Sequence, residues 1–241
     1  MQLAVFKSMY SKLSNIINDI NTILLPRLCF GCNAVLYRGE EHICTVCRNH
    51  LPLTDYDFNA ENPVDRIFYG RINITKASSF LFFVEDGIVK NLIHYLKYRN
   101  QEQIGSFLGH WYGQLIKDNN FLTELDYVIP VPLHPAKLKK RGYNQVAHFA
   151  RAISEHLDAR YLDHVLIKTA NTRTQTKKTR LLRYQDGRAL YLLTDNDILK
   201  YRKVLLLDDV ITTGATMELC ATALSEVPGI DLYLASMAVV P

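Results

Sequence analysis

Two stretches of this chain place reactive residue types at spacings that chemistry uses. The first is "KVLLLDDVITTGAT", Lys203 to Thr216, in which four aliphatic residues lead into two adjacent acids and then a hydroxyl-rich turn around one glycine. A buried strand that ends in acids and turns through Thr212, Thr213, Gly214, Ala215 and Thr216 into a helix delivers free backbone N–H groups and hydroxyls to the positive end of the helix dipole. That is the composition of a phosphate site, and Gly214 lets the backbone come close to the anion. Asp208 and Asp209 would repel a phosphate. They suit vicinal hydroxyls or a magnesium ion instead, and a phosphorylated sugar presents both parts. The acid pair alone fits a strand end meeting a helix cap equally well; the whole run is what points to phosphate.

The second stretch holds Cys29, Cys32, Cys44 and Cys47, two C-x-x-C pairs with eleven residues between them. Four thiolates close a tetrahedral zinc site with no open position, so the metal is expected to be structural. Gly31 in "CFGC" suits a knuckle whose backbone N–H groups turn toward sulfur, whereas "CTVC" lacks that glycine. Disulfides and an iron–sulfur cluster are the alternatives. His42 is surplus beside four cysteines, and Cys220 reads as a small buried apolar residue.

These residues need elements to hold them. Apolar runs at "TKASSFLFFV", "LDYVIPVP", "HVLIKT", "KVLLLDDV" and "LYLASMAVV" read as strands, and "GIVKNLIHYLKY", "NQVAHFARAISEHL" and the segment from about Ala215 to Ser225 read as helices. Continuous Val/Ile/Leu strands alternating with helices predict an α/β fold with a parallel sheet covered on both faces. Ligands of such sheets sit beyond the carboxyl ends of the strands, where Asp208 and Asp209 fall. Asp86 is the expected cap of the first of these helices. Residues 1–25 carry apolar side chains at intervals of three and four and predict an amphipathic helix; residues 26–55 form the cysteine ribbon; a linker rich in Asn, Pro and Asp follows; residues 75–241 form the main domain.

With 241 residues and 48% hydrophobic content the chain can bury a proper core. No apolar run reaches the roughly 18–20 residues a membrane span needs, and residues 1–25 show neither a compact apolar core nor a small-residue cleavage site. These features and the clustered cysteines predict a reducing, cytoplasmic setting. Charge is uneven: residues 137–188 hold thirteen Lys/Arg against four Asp/Glu, an excess of nine, and the remainder is net negative by five. An anion is drawn to the middle of the chain. There, "IPVPLHPAKLKKRGYNQ" follows a strand with turn chemistry and four basic residues. Singly, Lys137 and Lys139 fit a solvated loop; Arg141, next to a helix start, is weighted toward function. "NTRTQTKKTRLLRYQDGRALY", residues 171–191, reads as a cationic flap that closes over a ligand.

The Lys203–Thr216 run resembles the signature with which type I phosphoribosyltransferases bind 5-phosphoribosyl 1-diphosphate (PRPP). Together with "VPLH", "KKRGYNQ", a T-x-x-Q-T element, "LIHYLKY" and the four cysteines, it makes residues 25–241 similar to the ComF family. The resemblance implies a type I phosphoribosyltransferase-like parallel sheet flanked by helices, with a small N-terminal zinc-ribbon domain. It implies that Asp208 and Asp209 contact the ribose as catalytic residues and that Thr212, Thr213, Gly214, Ala215 and Thr216 bind the 5-phosphate. It assigns Leu133, His134, Arg141 and Arg183 to PRPP, with magnesium accompanying the diphosphate. Where the family pattern has Asn after two intervening residues beyond Arg183, this chain has Asp186, an acid that works against holding an anion.

Arg27, Phe30, Tyr37, Arg38 and Arg48 surround the cysteines and offer cations and rings to a single strand of nucleic acid. The ribbon equally suits bracing the domain. The resemblance, to a family implicated in DNA uptake, favours single-stranded DNA held by Arg27, Arg38 and Arg48, with DNA-uptake or helicase proteins as partners. Three functions follow from these features: a PRPP-binding competence protein, a phosphoribosyltransferase of nucleotide or cofactor metabolism that releases diphosphate, and a PRPP sensor that turns nothing over. The absence of an evident base-recognition segment counts against the second.

Overall fold

The computed structural model describes residues 26–169 and 190–241. The chain divides into two compact units at Leu51 and Pro52. The expected helix over residues 1–25 and most of the expected flap, Arg183 included, lie outside the described residues.

In the first unit, Leu28 and Val35 form an antiparallel bridge around the first C-x-x-C pair. Helix α1 (Thr45–Asn49) carries Cys47 and Arg48.

The second unit is built on a five-stranded parallel sheet. Its strands are β1 (Lys76–Phe82), β2 (Tyr127–Pro130), β3 (Arg160–Tyr161), β6 (Lys203–Ile211) and β7 (Asp231–Val239), in the order β1-β7-β6-β2-β3. Strands β6 and β7, each with a neighbour on both edges, are buried along most of their length. One face is covered by α2 (Pro63–Phe68) and α7 (Ala215–Leu224), whose Val64, Phe68, Met217, Cys220 and Leu224 pack with Val204, Leu206 and Leu234. The other is covered by α3 (Ile88–Tyr98), α4 (Gln103–Asp118) and α6 (Ala147–His156). Among the described residues no helix is long and apolar enough to cross a membrane.

Strand β6 runs on past its neighbour. Pro130, the last residue of β2, is paired with Leu207, and Val131 N–H still reaches the Leu207 carbonyl at 2.8 Å, so Asp208 to Ile211 project beyond β2. The chain leaves β6 through α7 toward β7 on one face and leaves β2 through α6 toward β3 on the other. The crevice between β6 and β2 is therefore the point where the strand order reverses, where open α/β sheets bind ligands.

Three sequence expectations are corrected and one helix is added. Residues 56–74 are not a bare linker, because α2 stands there with a capping box, Asn62 accepting from Val64 and Asp65 N–H, and with Phe68 fully buried. Asp86 does not cap α3: Gly87 holds that position, while Asp86 has a left-handed backbone (φ 64°) and pairs with Lys90 at 2.7 Å. Within "HVLIKT", β4 (Leu166–Lys168) stays out of the main sheet and pairs antiparallel with β5 (Tyr191–Leu193). Helix α4, absent from the sequence reading, has Gly105, Gly109 and Gly113 facing α6; a Cβ on Gly109 would lie 2.6 Å from the Phe149 carbonyl oxygen. Such glycines weaken a helix in isolation and here permit close helix packing.

Candidate functional site

The turn from β6 into α7 is set by Gly214, which has φ +73° and sits at the N-cap of the helix. An added Cβ would meet Ile67 Cγ2 at 2.7 Å and Phe68 Cε1 at 2.9 Å. Helix α2 thus forms the wall behind the loop, itself held to β1 by the buried Asp65, whose carboxylate accepts Ala77 N–H at 2.7 Å and pairs with Lys76 at 3.3 Å. Arg71 fastens the loop from outside, donating to the Thr213 carbonyl at 2.8 Å and the Ile67 carbonyl at 2.9 Å and pairing with Glu218 of α7. Thr212, Thr213, Ala215 and Thr216 are exposed around the α7 N-terminus, whose first N–H groups have no partner within the helix. Five consecutive residues named from the sequence are thereby gathered at one helix end.

The two acids, although adjacent, do not converge. Both are buried, at 7% and 6% exposure, but successive strand residues point to opposite faces. Asp209 turns toward α3 and α6: its Oδ1 accepts from Lys97 Nζ at 2.8 Å and its Oδ2 from the Gln145 side-chain amide. Arg141 donates to the other end of the Gln145 amide and lies over the Tyr98 ring at 5.7 Å, so Arg141, Gln145, Asp209 and Lys97 form one chain of polar contacts. Asp208 turns toward α7, β4 and β5, and its Oδ1 accepts Asp209 N–H at 2.8 Å. Burial, reinforced by the neighbouring Asp209 charge, pushes the Asp208 carboxyl up to about 7 against the lowering pull of that N–H, Lys97 and Lys168. Burial likewise raises Tyr191 and Cys220 and lowers Lys168, which donates to Tyr191 Oη at 2.8 Å.

This arrangement bears on the expected magnesium. A magnesium ion held jointly by the two acids needs carboxylate oxygens that meet at one point. Here both Asp209 oxygens already face donors and Asp208 looks the other way. The acid pair does not fit a magnesium seat of its own.

The segment after β2 also differs from expectation. Lys137, Lys139, Lys140 and Arg141 lie in a short helix, α5 (Pro135–Arg141), rather than in a loop, and Arg141 is its last residue before the left-handed Gly142 (φ 88°) rather than the start of α6. His134 is the α5 N-cap, its Nδ1 accepting Ala136 N–H at 3.2 Å, and Leu133 is half-buried beside it.

Lys97, Gln145, Arg71 and Lys168 escaped the sequence reading. For Lys97 a signal existed: it continues the buried Val89–Ile93 stripe of α3 by four more residues, and a cation on a buried stripe requires an anion.

In the first unit the Sγ atoms of Cys29, Cys32, Cys44 and Cys47 all lie within 4.8 Å of one another, a cluster positioned to hold a metal ion. Cys29 Sγ accepts N–H groups from Gly31 at 3.3 Å and Cys44 at 3.2 Å, and Cys44 Sγ accepts Cys47 N–H at 3.4 Å. Burial works to raise the Cys29 thiol, but the N–H groups of Cys44, Cys32 and Gly31 bring it down to about 7, while burial and the neighbouring thiols push Cys47 up. The left-handed residue of this knuckle is Asn33 (φ 61°), not Gly31. His42 stays out of the cluster and stacks on Phe30, with ring centroids 6.4 Å apart. Arg27, Arg38 and Arg48 are all exposed in this unit.

No protein-family model matches the chain. It is similar to Competence protein F of Haemophilus influenzae, 32% identical over 130 residues, spanning 52% of this chain and little more than half (57%) of that protein. It is 25% identical to Competence protein ComFC of Bacillus subtilis over 204 residues, 83% of this chain and 78% of the relative. DNA utilization protein YhgH of Escherichia coli O157:H7 is 28% identical over 210 residues, 81% of this chain and 89% of the relative. Among solved structures, the glutamine PRPP amidotransferase from B. subtilis complexed with ADP and GMP aligns with a TM-score of 0.42 and 18% identity over 59% of this chain and 30% of that one. A hypoxanthine phosphoribosyltransferase from Staphylococcus aureus aligns with a TM-score of 0.37 and 10% identity over 58% and 74%. The chain is a homologue of the competence proteins F and ComFC and of the YhgH proteins.

Proposed function

We propose that this chain binds PRPP at the crevice between β6 and β2 and works in the cytoplasm in the uptake of single-stranded transforming DNA. The observation that carries the PRPP reading is the Asp208–Thr216 run: a strand end bearing acids, a left-handed Gly214 and five exposed or backbone-donating positions at a helix N-terminus. The 5-phosphate binds Thr212 to Thr216, Asp209 meets the ribose hydroxyls, and Arg141 and Arg183 take the diphosphate. A structural zinc on the four cysteines closes the ribbon, which holds DNA through Arg27, Arg38 and Arg48. The names of the relatives, competence and DNA utilization, support the DNA half of this reading.

Calorimetric titration with PRPP, with diphosphate release followed in parallel, tests the first half. The Asp208→Asn, Asp209→Asn double variant is expected to lose most of the binding; unchanged affinity in a folded variant refutes the site. Fluorescence anisotropy with a labelled single strand across a salt series tests the second. Replacing Arg27, Arg38 and Arg48 by Ala is expected to weaken DNA binding and flatten the log–log salt slope by about 2, at roughly 0.7 per phosphate contact, while leaving PRPP binding intact. No binding by the wild-type protein at low salt refutes the DNA half, and diphosphate release with a nucleophilic acceptor then establishes the transferase reading.

A further inference from the structure

We propose that Lys97 is the resident cation of the acid site: it neutralises Asp209 and offers its remaining N–H donors to the ligand, so that binding of PRPP here needs no divalent ion held by the protein. The inference rests on the PRPP reading above and adds to it a binding residue and a metal dependence. Asp209 is almost fully buried, so its charge requires a partner, and the Lys97 ammonium supplies one at 2.8 Å. Gln145 occupies the second carboxylate oxygen, and Asp208 faces the opposite side of the sheet. A small octahedral cation therefore finds no pair of free carboxylate oxygens, whereas an ammonium needs only one.

The lysine is also placed to serve a ligand. Its side chain keeps 22% of its surface in contact with solvent, so the lysine is not sealed into the core although it holds Asp209. It stands in the last turn of α3, where the helix dipole favours a cation. That turn is pinned twice, by Tyr143 Oη donating to the Leu96 carbonyl and by the Arg141 guanidinium over the Tyr98 ring. Lys97 and Arg141 thus lie on one side of Asp209 as two fixed positive charges that an incoming diphosphate meets together. Without Lys97, a buried carboxylate would face a polyanion with no cation in direct contact with it.

The test is calorimetric titration of PRPP into wild type, Lys97→Met and Lys97→Arg, each in EDTA and in excess magnesium, with circular dichroism confirming the fold. Wild type is expected to bind in EDTA within about threefold of its affinity in magnesium. Lys97→Met is expected to lose about tenfold or more in EDTA, in line with an uncompensated buried charge, and to recover part of it in magnesium. Lys97→Arg keeps the charge and most of the affinity. Wild-type binding that collapses in EDTA overturns the proposal, as does a Lys97→Met variant whose loss is the same in both media. If Lys97→Met does not fold, the wild-type ratio and Lys97→Arg decide alone. No PRPP binding by wild type in either medium refutes the PRPP reading itself, a result distinct from a misassigned lysine.

Discussion

Replacing Gly214 by Ala challenges the candidate phosphate loop at its tightest point. Two costs add. The left-handed backbone (φ +73°) penalises any Cβ by about 1–2 kcal/mol. Contacts of 2.7 Å to Ile67 and 2.9 Å to Phe68, both on the packed helix α2, add about 1–3 kcal/mol of overpacking. A total of about 2–5 kcal/mol corresponds to a melting-point drop of roughly 4–20 °C for a unit of this size. Gly70 supplies an internal control, because its φ is +68° yet nothing lies within 4 Å of its would-be Cβ. Gly70→Ala should therefore show the backbone cost alone, about 1–2 kcal/mol. Urea unfolding of both variants gives the comparison, and PRPP titration of the folded fraction reports the loop. Equal destabilisation of the two variants would refute the role given to Ile67 and Phe68. Undiminished PRPP binding by Gly214→Ala would refute the loop as the phosphate seat.

Further outcomes follow from the buried acid and the cysteines. Burial and the adjacent Asp209 charge push the Asp208 carboxyl up to about 7 in the fold, against roughly 3.9 in the unfolded chain, so its ionisation burdens the native state. The sign is that native stability is fullest below about pH 4, falls through the interval up to about 7 and stays reduced above it. Asp208→Asn should accordingly stabilise the protein at pH 8 and bring no gain at pH 4, read from urea midpoints; the same increment at both would contradict the assignment. Elemental analysis should find one zinc per chain, lost in Cys29→Ser and Cys47→Ser, because four convergent Sγ atoms complete a tetrahedral shell. Less than half an equivalent in the parent protein, or a disulfide among the four, excludes the zinc site.

The parts of the site legible in the sequence are those built from neighbours along the chain. The β6 strand, its acids, the Gly214 turn and the start of α7 occupy fourteen consecutive residues from Lys203 to Thr216, and each local preference agrees with the next. The cysteine cluster was legible for the same reason. Partners brought together by folding were not: Lys97 and Asp209 are 112 positions apart, and Arg71 and Thr213 are 142 apart. The parallel sheet was readable from its unbroken apolar strands, but β4 was misplaced because a three-residue apolar run carries no information about which strand it will pair with. Helix α4 was invisible because its three glycines argue against a helix until the surface of α6 is set against them. The opposite orientation of Asp208 and Asp209 follows from strand geometry alone and was available from the sequence once β6 was extended through them.

The glycine stripe of α4 reaches further than packing. Gly105, Gly109 and Gly113 meet, in turn, the backbone around Gln145 and His148, the Phe149 carbonyl and the ring of His156. Gln145 stands two residues ahead of α6 and holds Asp209 from its amide. The three missing side chains thus act as a gauge that fixes how deeply α6 seats, and with it where Gln145 presents its amide. On the proposed PRPP reading, affinity at the acid site is tunable from α4, which supplies none of the residues named there: one methyl group at Gly105, 3.3 Å from His148 Cβ, would move the gauge, and the Asp209 carboxylate would register the displacement.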